Sequence, residues 1–314
     1  MNHSHQFDAE QEIQAIARGI KHELITKLRR RGAVVGVSGG IDSAVVLSLC
    51  VRAIGPKRVL AVLMPERESD PASHSFASML VDQLGVEHIT EDITPALNGF
   101  DCYRRRDEAV RRLFPDYDEH CRIRIGLPEC SVEQDRINIF DLTMVKPDGE
   151  TLTARLPTAE YLEITAASNF KQRARMCTLY YYAESRHYAV IGTSNRNEHE
   201  LGFFVKYGDG GADMTPIRHL LKTQVYQLAS ALGVPPPIID RPPTPDTYTA
   251  EHSHLDFFYR APFPVLDSVW QGWEQGLPLP DIAETAGILP DQAAHIIADI
   301  QRKQSTSAYL RAGA

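Results

Sequence analysis

The stretch AVVGVSGGIDSAVVLSLC, residues 33–50, decides the fold, because it leads a short β-branched run directly into an apolar helix. Residues 33–37 predict a buried strand, and residues 42–54 predict a helix that ends at Gly55 and Pro56. Two adjacent glycines and small polar side chains separate these elements. Such a junction places several backbone N–H groups at a helix N-terminus, where the helix dipole also favours an anion.

The junction from Ser38 to Ser43 therefore indicates a phosphate-binding loop. Its glycines let the backbone approach a ligand closely, and the two serines add hydroxyl donors. Asp42 can hold a cation that neutralises phosphate charge. The pattern is neither GxxxxGK[ST] nor GxGxxG. The simpler alternative is a tight turn in which an Asp or Ser caps the helix.

The alternation of strands and helices continues on both sides of this loop. An apolar stripe predicts a helix over 8–31. Further strands are predicted at 58–65, 86–93 and 188–193, and further helices at 71–84, 158–186 and 219–232. Right-handed crossovers between such strands produce a parallel sheet. We therefore expect an α/β fold, with a Rossmann-like parallel sheet flanked by helices, in a single domain spanning 1–314.

Two segments depart from this alternation. Residues 98–157 are expected to be an insertion, in which the alternating residues on both sides of Pro-Asp-Gly (147–149) predict a β-hairpin. Its charged run RRRDEAVRR, residues 104–112, predicts a solvated helix face, with a dimer contact or a gate over the active site as alternatives. Residues 264–304 predict a C-terminal helical region of two or three helices.

The insertion also contains candidate zinc ligands, namely Cys102, His120, Cys121 and Cys130. Structural zinc sites favour paired ligands at CxxC-type spacing, which this segment lacks. Ordinary packed or free thiols are the preferred interpretation.

Composition excludes several classes of protein. The 314-residue chain carries a net charge of −8, which argues against a general nucleic-acid binder. Its apolar runs are too short to cross a bilayer, and its N-terminus lacks the pattern of a secretory signal, so no membrane partner is expected. Its five cysteines form no CxxC pair, which favours a reduced, cytoplasmic protein.

Residues 38–43, SGGIDS, resemble the pyrophosphate loop of the ATP-pyrophosphatase superfamily, whose members grip the β- and γ-phosphates of ATP and transfer AMP to a substrate oxygen. Residues 169–235 resemble NAD synthetase over nearly their whole length. The motifs that carry this resemblance are N-x-x-x-R-x-R-M (169–176), GTSNxxE (192–198), LGFFxKYGDGGAD (201–213) and L-x-K-T-Q-V (220–225), with PPTPD at 242–246.

The resemblance implies a fold, a reaction and a set of site residues. The carboxylate of deamido-NAD would attack the α-phosphorus of ATP, the co-substrate, and ammonia would convert the acyl-adenylate to NAD, with Mg²⁺ as cofactor. The implied ATP contacts are Gly36, Val37, Ser38, Gly39, Gly40, Ile41, Asp42, Ser43, Thr193, Lys222 and Thr244. The implied deamido-NAD contacts are Asn169, Arg173, Lys206, Asp213 and Lys303. Asp42, Ser43 and Lys222 would be catalytic, and Asp42 and Glu198 would hold the metal.

Elementary chemistry agrees with several of these roles. Glu198 and Asp42 both follow predicted strands, so they lie at the edge of the sheet where open α/β folds bind ligands. Two carboxylates there suit magnesium, which prefers one or two carboxylates plus phosphate oxygens. The loop 206–213 can offer carboxylates to ribose hydroxyls, or it is a surface turn. Arg173 is alternatively a solvated helix charge.

The nitrogen source is expected to be free ammonia or ammonia from a separate partner. Residue 2 is Asn rather than a cysteine, and the segment before the first strand is too short for a glutaminase domain. A homodimer is implied by the resemblance alone.

Three alternatives to the main hypothesis stay open. A ligase of the same fold with a different carboxylate is motivated by the segment 248–268, which departs from the family pattern. A catalytically silent nucleotide-binding regulator is disfavoured by the presence of Ser38, Asp42, Ser43 and Glu198. An RNA-modifying adenylase is disfavoured by the acidic charge.

Overall fold

The computed structural model describes residues 7–126, 140–241, 258–259 and 261–312. Its central sheet has four parallel strands in the order β3-β2-β1-β7. These are β1 (Ala33–Gly36), β2 (Val59–Leu63), β3 (Glu87–Thr90) and β7 (Ala189–Ile191). The predicted parallel sheet is confirmed, and β1 lies in its interior because it pairs with both β2 and β7.

Helices cover both faces of this sheet, and neighbouring residues of β1 belong to a different core on each face. Val35 belongs to an apolar core that also contains residues of α1 (Ala9–His22), α2 (Ile41–Ile54), α3 (Pro71–Leu84) and α8 (Lys222–Ala231). Val34 belongs to a second core, on α6 (Thr158–Arg186). Successive side chains of a strand point to opposite faces, so an all-apolar strand has a core on each side. The helix predicted over 8–31 begins at Ala9 and continues after His22 as a π-helical turn, Glu23–Lys27.

A second lobe lies between β3 and α6. It contains α4 (Thr94–Gly99), α5 (Cys102–Arg111) and a three-stranded antiparallel sheet of β4 (Arg122–Gly126), β5 (Phe140–Val145) and β6 (Thr151–Leu156). The hairpin predicted around residues 147–149 is confirmed as β5 and β6. Its apolar face packs on α5 and on the first turns of α6, through residues such as Leu142, Val110 and Ile164. That residues 98–157 are an insertion stays a prediction.

The predicted solvated face at 104–112 is wrong for Arg106, which is only 2% exposed. Its guanidinium donates to Glu68 at 2.6 and 2.8 Å and to Asp107 at 2.7 Å. Lys171 of α6, also 2% exposed, donates to Glu66 at 2.9 Å and to Glu68 at 2.7 Å. A buried ionic cluster thus ties the second lobe to the segment after β2 and to α6.

The remaining helices follow β7 and complete the chain. They are α7 (Arg196–Leu201), α9 (Pro236–Ile239), α10 (Phe263–Glu274), α11 (Leu279–Ala286), α12 (Pro290–Thr306) and α13 (Ala308–Arg311). Helices α10 and α12 pack on α7 and α8 around the buried Trp270 and Leu201. None of the helices in the described ranges combines the length and apolarity needed to cross a membrane.

Candidate active site

The loop between β1 and α2 is organised by its own hydroxyl groups. Ser43 Oγ accepts from the N–H of Ser38 at 3.3 Å and donates to the carbonyl oxygen of Gly40 at 2.9 Å. Gly39 has a φ of +78°, and a Cβ there would lie 2.3 Å from the carbonyl oxygen of Ser73 in α3. Both the dihedral angle and the close approach require glycine. The loop is therefore held in shape before any ligand binds.

Asp42, in the first turn of α2, is the centre of the polar contacts at this site. Its Oδ2 forms an ion pair with the ammonium of Lys222, and its Oδ1 accepts from Nδ2 of Asn195 at 2.9 Å. The side chain of Lys222 is 2% exposed, at the first residue of α8. The N-terminal ends of α2, α7 and α8 therefore meet at one place.

Glu198 lies in the same place, in the first turn of α7. Asn195 and Glu198 form a capping box: Asn195 Oδ1 accepts from the N–H of Glu198 at 3.1 Å, and Glu198 Oε2 accepts from the N–H of Asn195 at 3.2 Å. Burial, and then the negative charge of Asp42, raise the pKa of Glu198 above its ordinary value. Asn195 contacts both residues, since it donates to Asp42 and accepts from the N–H of Glu198.

A buried aspartate of α10 holds Lys222 in position. Asp267 accepts from Nδ2 of Asn197 at 2.7 Å, and from the N–H and the hydroxyl of Thr223 at 2.9 and 2.8 Å. Asn197 in turn accepts from the N–H of Lys222 at 2.9 Å. The N-terminus of α8 is therefore held by hydrogen bonds to α7 and α10.

These groups line one end of a cavity of about 1240 Å³, which opens at the carboxyl ends of β1, β2 and β7. Its walls are the loop between β1 and α2 (residues 37–40, called the phosphate loop below), the segment after β2, one side of α6, the segment 201–209 and the end of α12. Pockets for a single drug-sized ligand span roughly 300–1,000 Å³, so this cavity has room for more than one such molecule.

The cavity brings together most of the residues that the sequence singled out. It is lined by Gly36, Val37, Ser38, Gly40, Ile41, Asp42, Ser43, Asn169, Arg173, Thr193, Glu198, Lys206, Lys222 and Lys303. Gly39 instead packs against α3. Thr244 lies outside the described residues, as does Cys130.

Several predicted substrate contacts have protein partners in this structure. Arg173 Nε donates to the carbonyl oxygen of Lys206 at 3.3 Å, and Lys206 Nζ donates to the carbonyl oxygens of Tyr309 and Ala312. Lys303 Nζ donates to the carbonyl oxygen of Phe258. The segment 206–213 is therefore fastened to both α6 and the end of the chain.

Asp213 is not brought to the cavity lining. Its Oδ2 accepts from the N–H of Val190 in β7 at 2.8 Å, and its Oδ1 accepts from the hydroxyl of Tyr180 at 3.3 Å. In this conformation the carboxylate fastens the loop to the edge of the sheet. Its predicted contact with the substrate stays a prediction.

Asn195 and Asp267 hold side chains of this site in position, and neither was predicted from the sequence to do so. For Asn195 a signal was present, because Asn followed three residues later by Glu is a capping-box pattern and fixes the start of a helix. For Asp267 no local signal exists, since its partners lie some 44 to 70 residues earlier in the chain.

The described part of the chain contains no cluster of three or more His, Cys, Asp or Glu side chains that could hold a metal. The thiols of Cys102 and Cys121 are buried, and burial raises the pKa of Cys102 to about 11. Both therefore behave as packed thiols.

A parallel sheet, a glycine loop entering a helix, and a cavity at the carboxyl ends of the strands define an open α/β protein with the architecture in which ligands bind at that edge of the sheet. A family model described as NAD synthase matches residues 12–128 and 131–308. The chain belongs to the NAD synthase family, as the resemblance of its motifs implied.

Its relatives include two rhizobial proteins named NH(3)-dependent NAD(+) synthetase. The protein of Mesorhizobium japonicum is 44% identical over 305 residues, covering 97% of this chain and 95% of that protein. The protein of Rhizobium meliloti is 42% identical over 306 residues, covering 98% and 91%.

Two solved structures share the fold. The NMN synthetase of Francisella tularensis superposes with a TM-score of 0.66 at 23% identity, covering 98% of each chain. The NH3-dependent NAD synthetase of Campylobacter jejuni, in complex with nitrate, superposes with a TM-score of 0.62 at 22% identity, covering 97% of this chain and 96% of that one.

Proposed function

We propose that this chain catalyses the ATP-dependent amidation of deamido-NAD with ammonia, producing NAD, AMP and pyrophosphate. One observation carries the proposal: the phosphate loop, Lys222 and two carboxylates meet at one end of a cavity that continues along the polar side of α6. Family membership and the names of the rhizobial relatives support the same reaction.

The first step is adenylation. The N–H groups of the loop hold the β- and γ-phosphates, and the hydroxyl of Ser43 turns from the carbonyl oxygen of Gly40 to donate to them. The acceptor carboxylate then attacks the α-phosphorus. Lys222 stabilises the charge of the departing pyrophosphate, so the acyl-adenylate forms without a side-chain nucleophile. Ammonia then attacks the acyl carbon, the bond to AMP breaks, and one proton is released to solvent.

Asp42 and Glu198 fit a magnesium ion. Burial first, and the negative charge of Asp42 second, raise the pKa of Glu198, and a divalent cation bound by the two carboxylates would stabilise their ionised forms. Magnesium, when bound there, neutralises the negative charge of the ATP phosphates. Asn195 donates to Asp42 and its N–H bonds to Glu198, so it would hold both proposed metal ligands in fixed positions.

The size of the cavity supports a dinucleotide as acceptor. Adenylation requires ATP and the acceptor to be bound together, and about 1240 Å³ accommodates more than one ligand of ordinary size. The competing proposal is a smaller carboxylate acceptor, such as nicotinate mononucleotide. Three extensions belong to the proposal. A homodimer rests on the family resemblance, a cytoplasmic location rests on the cysteine usage, and free ammonia or ammonia from a separate partner rests on Asn at residue 2, where a glutaminase can have its cysteine.

The experiment measures pyrophosphate release and NAD formation in the same reaction. Purified protein is incubated with ATP, magnesium and ammonium at mildly alkaline pH, with deamido-NAD, with nicotinate mononucleotide or with no acceptor. The expected result is pyrophosphate release that depends on deamido-NAD and matches NAD one for one. Equal use of the mononucleotide, or no release with deamido-NAD, would contradict the proposal.

Asp42→Ala provides the catalytic control, since it removes a proposed metal ligand and the partner of Lys222. Asp82→Ala, at a surface position of α3 outside the cavity lining, provides the matched control. The first variant should lose activity by at least a hundredfold, and the second should retain it.

A further inference from the structure

Arg241 lines the cavity, and no step of the proposed reaction uses it. It follows α9 and is held against the start of α3, because its Nη2 donates to Asp70 Oδ2 at 3.0 Å and to Ser73 Oγ at 2.9 Å. Its Cζ lies 5.5 Å from the ring centroid of Phe76. The side chain is only 15% exposed, so a guanidinium largely withdrawn from solvent forms part of the cavity wall.

Ser73 relates Arg241 to the phosphate loop. The carbonyl oxygen of Ser73 lies 2.3 Å from the position that a Cβ on Gly39 would occupy, and the hydroxyl of the same residue accepts from Arg241. Ile238 of α9 also lines the cavity, and it shares an apolar core with Ile41, the first residue of α2. Arg241 therefore lies at the phosphate-loop end of the cavity.

Only one nitrogen of the Arg241 guanidinium has hydrogen-bond partners. Its Nε and Nη1 have none among the residues that the structure describes. A structural tie between α9 and α3 explains Nη2 alone. Donors withdrawn from water cost free energy unless an acceptor satisfies them, and neighbouring guanidinium nitrogens match the spacing of phosphate oxygens. The two unused nitrogens are therefore suited to a phosphate group in the cavity.

The charges at this end of the cavity also favour a second cation. The ammonium of Lys222 already forms an ion pair with Asp42, so its positive charge is partly balanced before ATP binds. The partner of Arg241, Asp70, is 50% exposed, and water screens its carboxylate more than it screens the guanidinium. Arg241 thus presents positive charge beside a loop built to hold phosphates.

The elements that hold Arg241 lie on the face of the sheet opposite to α6. Ile238 of α9 belongs to the core that α1, α2, α3 and α8 share, whereas α6 packs on the core of the other face. In the proposed reaction the acceptor occupies the part of the cavity along α6, and the α-phosphorus of ATP must face it. The phosphate farthest from the acceptor then points toward α3 and α9.

We propose that Arg241 binds the terminal phosphate of ATP and holds the pyrophosphate as it departs. The inference rests on the proposed function, in which the phosphate loop holds the β- and γ-phosphates. Nη2 stays on Asp70 and Ser73, which fixes the plane of the guanidinium, and Nε and Nη1 donate to phosphate oxygens. Arg241 and Lys222 then share the stabilisation of the negative charge on pyrophosphate.

The test measures how Arg241→Met binds two fragments of ATP. Inorganic pyrophosphate has the phosphates that Arg241 is proposed to hold, whereas AMP has only the α-phosphate. For Arg241→Met we expect the KM for ATP and the inhibition constant of pyrophosphate to rise about tenfold or more, because charge-assisted hydrogen bonds are lost. The inhibition constant of AMP and the KM for deamido-NAD should be unchanged. The readout is NAD formation, since added pyrophosphate masks the pyrophosphate released.

Two further variants complete the experiment. Arg241→Lys keeps the positive charge without the planar fork, so the inhibition constant of pyrophosphate should rise less than in Arg241→Met. Arg52→Met, at a 61% exposed position of α2 outside the cavity lining, is the matched control and should behave as wild type.

Equal rises for pyrophosphate and AMP in Arg241→Met would indicate a general disturbance of the site and would overturn the inference. An unchanged KM for ATP would overturn it as well. Both results leave the proposed function intact, because wild type still forms NAD. A wild-type protein that forms no NAD from deamido-NAD would overturn the proposed function and the inference together.

Discussion

Asn195 Nδ2 donates a 2.9 Å hydrogen bond to Oδ1 of Asp42, and this bond joins the helix after β7 to the helix after β1. The same side chain caps α7 through its oxygen, which accepts from the N–H of Glu198 at 3.1 Å. One buried amide thus fixes the relative position of the two proposed metal ligands. Its two functions can be separated by substitution, because only the amide nitrogen reaches Asp42.

Replacing Asn195 by serine should keep the helix cap and lose the bond to Asp42. Serine caps helices about as well as asparagine, so the free energy of unfolding should change by less than about 1 kcal/mol. The rate of pyrophosphate release should fall about tenfold, since the carboxylate of Asp42 is less constrained.

Asn195→Ala, which removes both contacts, should in addition lose about 1 kcal/mol of stability. Urea unfolding and steady-state kinetics of the two variants separate the roles. Identical stability of Ala and Ser variants would show that the cap contributes nothing.

Lys222→Met should abolish most of the activity while preserving the apolar part of the side chain. The substitution removes the cation proposed to stabilise the departing pyrophosphate and leaves Asp42, which is 18% exposed, without its ion pair. A loss of at least a hundredfold in kcat is expected, measured by pyrophosphate release. Lys57→Met, at an exposed position outside the cavity lining, is the matched control and should retain full activity.

Asp267→Asn should lower both stability and activity, although Asp267 does not line the cavity. The carboxylate accepts three hydrogen bonds, and an amide placed there turns one acceptor into a donor that faces other donors. We expect a loss on the order of 2 kcal/mol in the free energy of unfolding and a lower kcat, because the start of α8 carries Lys222. Asp281→Asn in α11 changes the same chemical group at an exposed position and should leave both quantities unchanged.

Much of this architecture could be predicted because it depends on local signals. The strand before Ser38 and the helix after it follow from periodicity and glycines, and the hairpin at 147–149 follows from Pro-Asp-Gly between alternating residues. The long helix predicted over about 158–186 is confirmed as α6, Thr158–Arg186. Strand β4 was not predicted, because its alternation of polar and apolar residues covers only residues 122–125.

Tertiary contacts could not be predicted for residues whose environment is set by distant parts of the chain. The solvated position predicted for Arg106 is wrong, because this residue is buried and pairs with Glu68, 38 positions earlier. Asp213 has the local sequence of a ligand-binding loop, and its carboxylate accepts from the N–H of Val190 in the structure, while its contact with the substrate stays a prediction. Charge patterns report which partners are possible, whereas tertiary packing decides which partner is present.

The buried cluster around Glu68 should make stability depend on acid pH. Burial alone would raise the pKa of Glu68, but the hydrogen bonds and charges of Arg106 and Lys171 outweigh it and lower the pKa from 4.5 to about 2. A carboxyl group whose pKa is lower in the folded state stabilises the protein fully above pH 4.5. That contribution, on the order of 3 kcal/mol, is lost as the pH falls from 4.5 towards 2.

Glu68→Gln tests this prediction, because glutamine has the shape of the side chain without its charge. Urea unfolding between pH 3 and pH 7 should show wild type more stable than the variant at pH 7, with the difference shrinking below pH 4.5. Glu108→Gln, in the exposed pair with Arg104, is the matched control and should differ little from wild type at any pH. A pH-independent difference for Glu68→Gln would mean that the cluster stabilises the lobe through packing and not through charge.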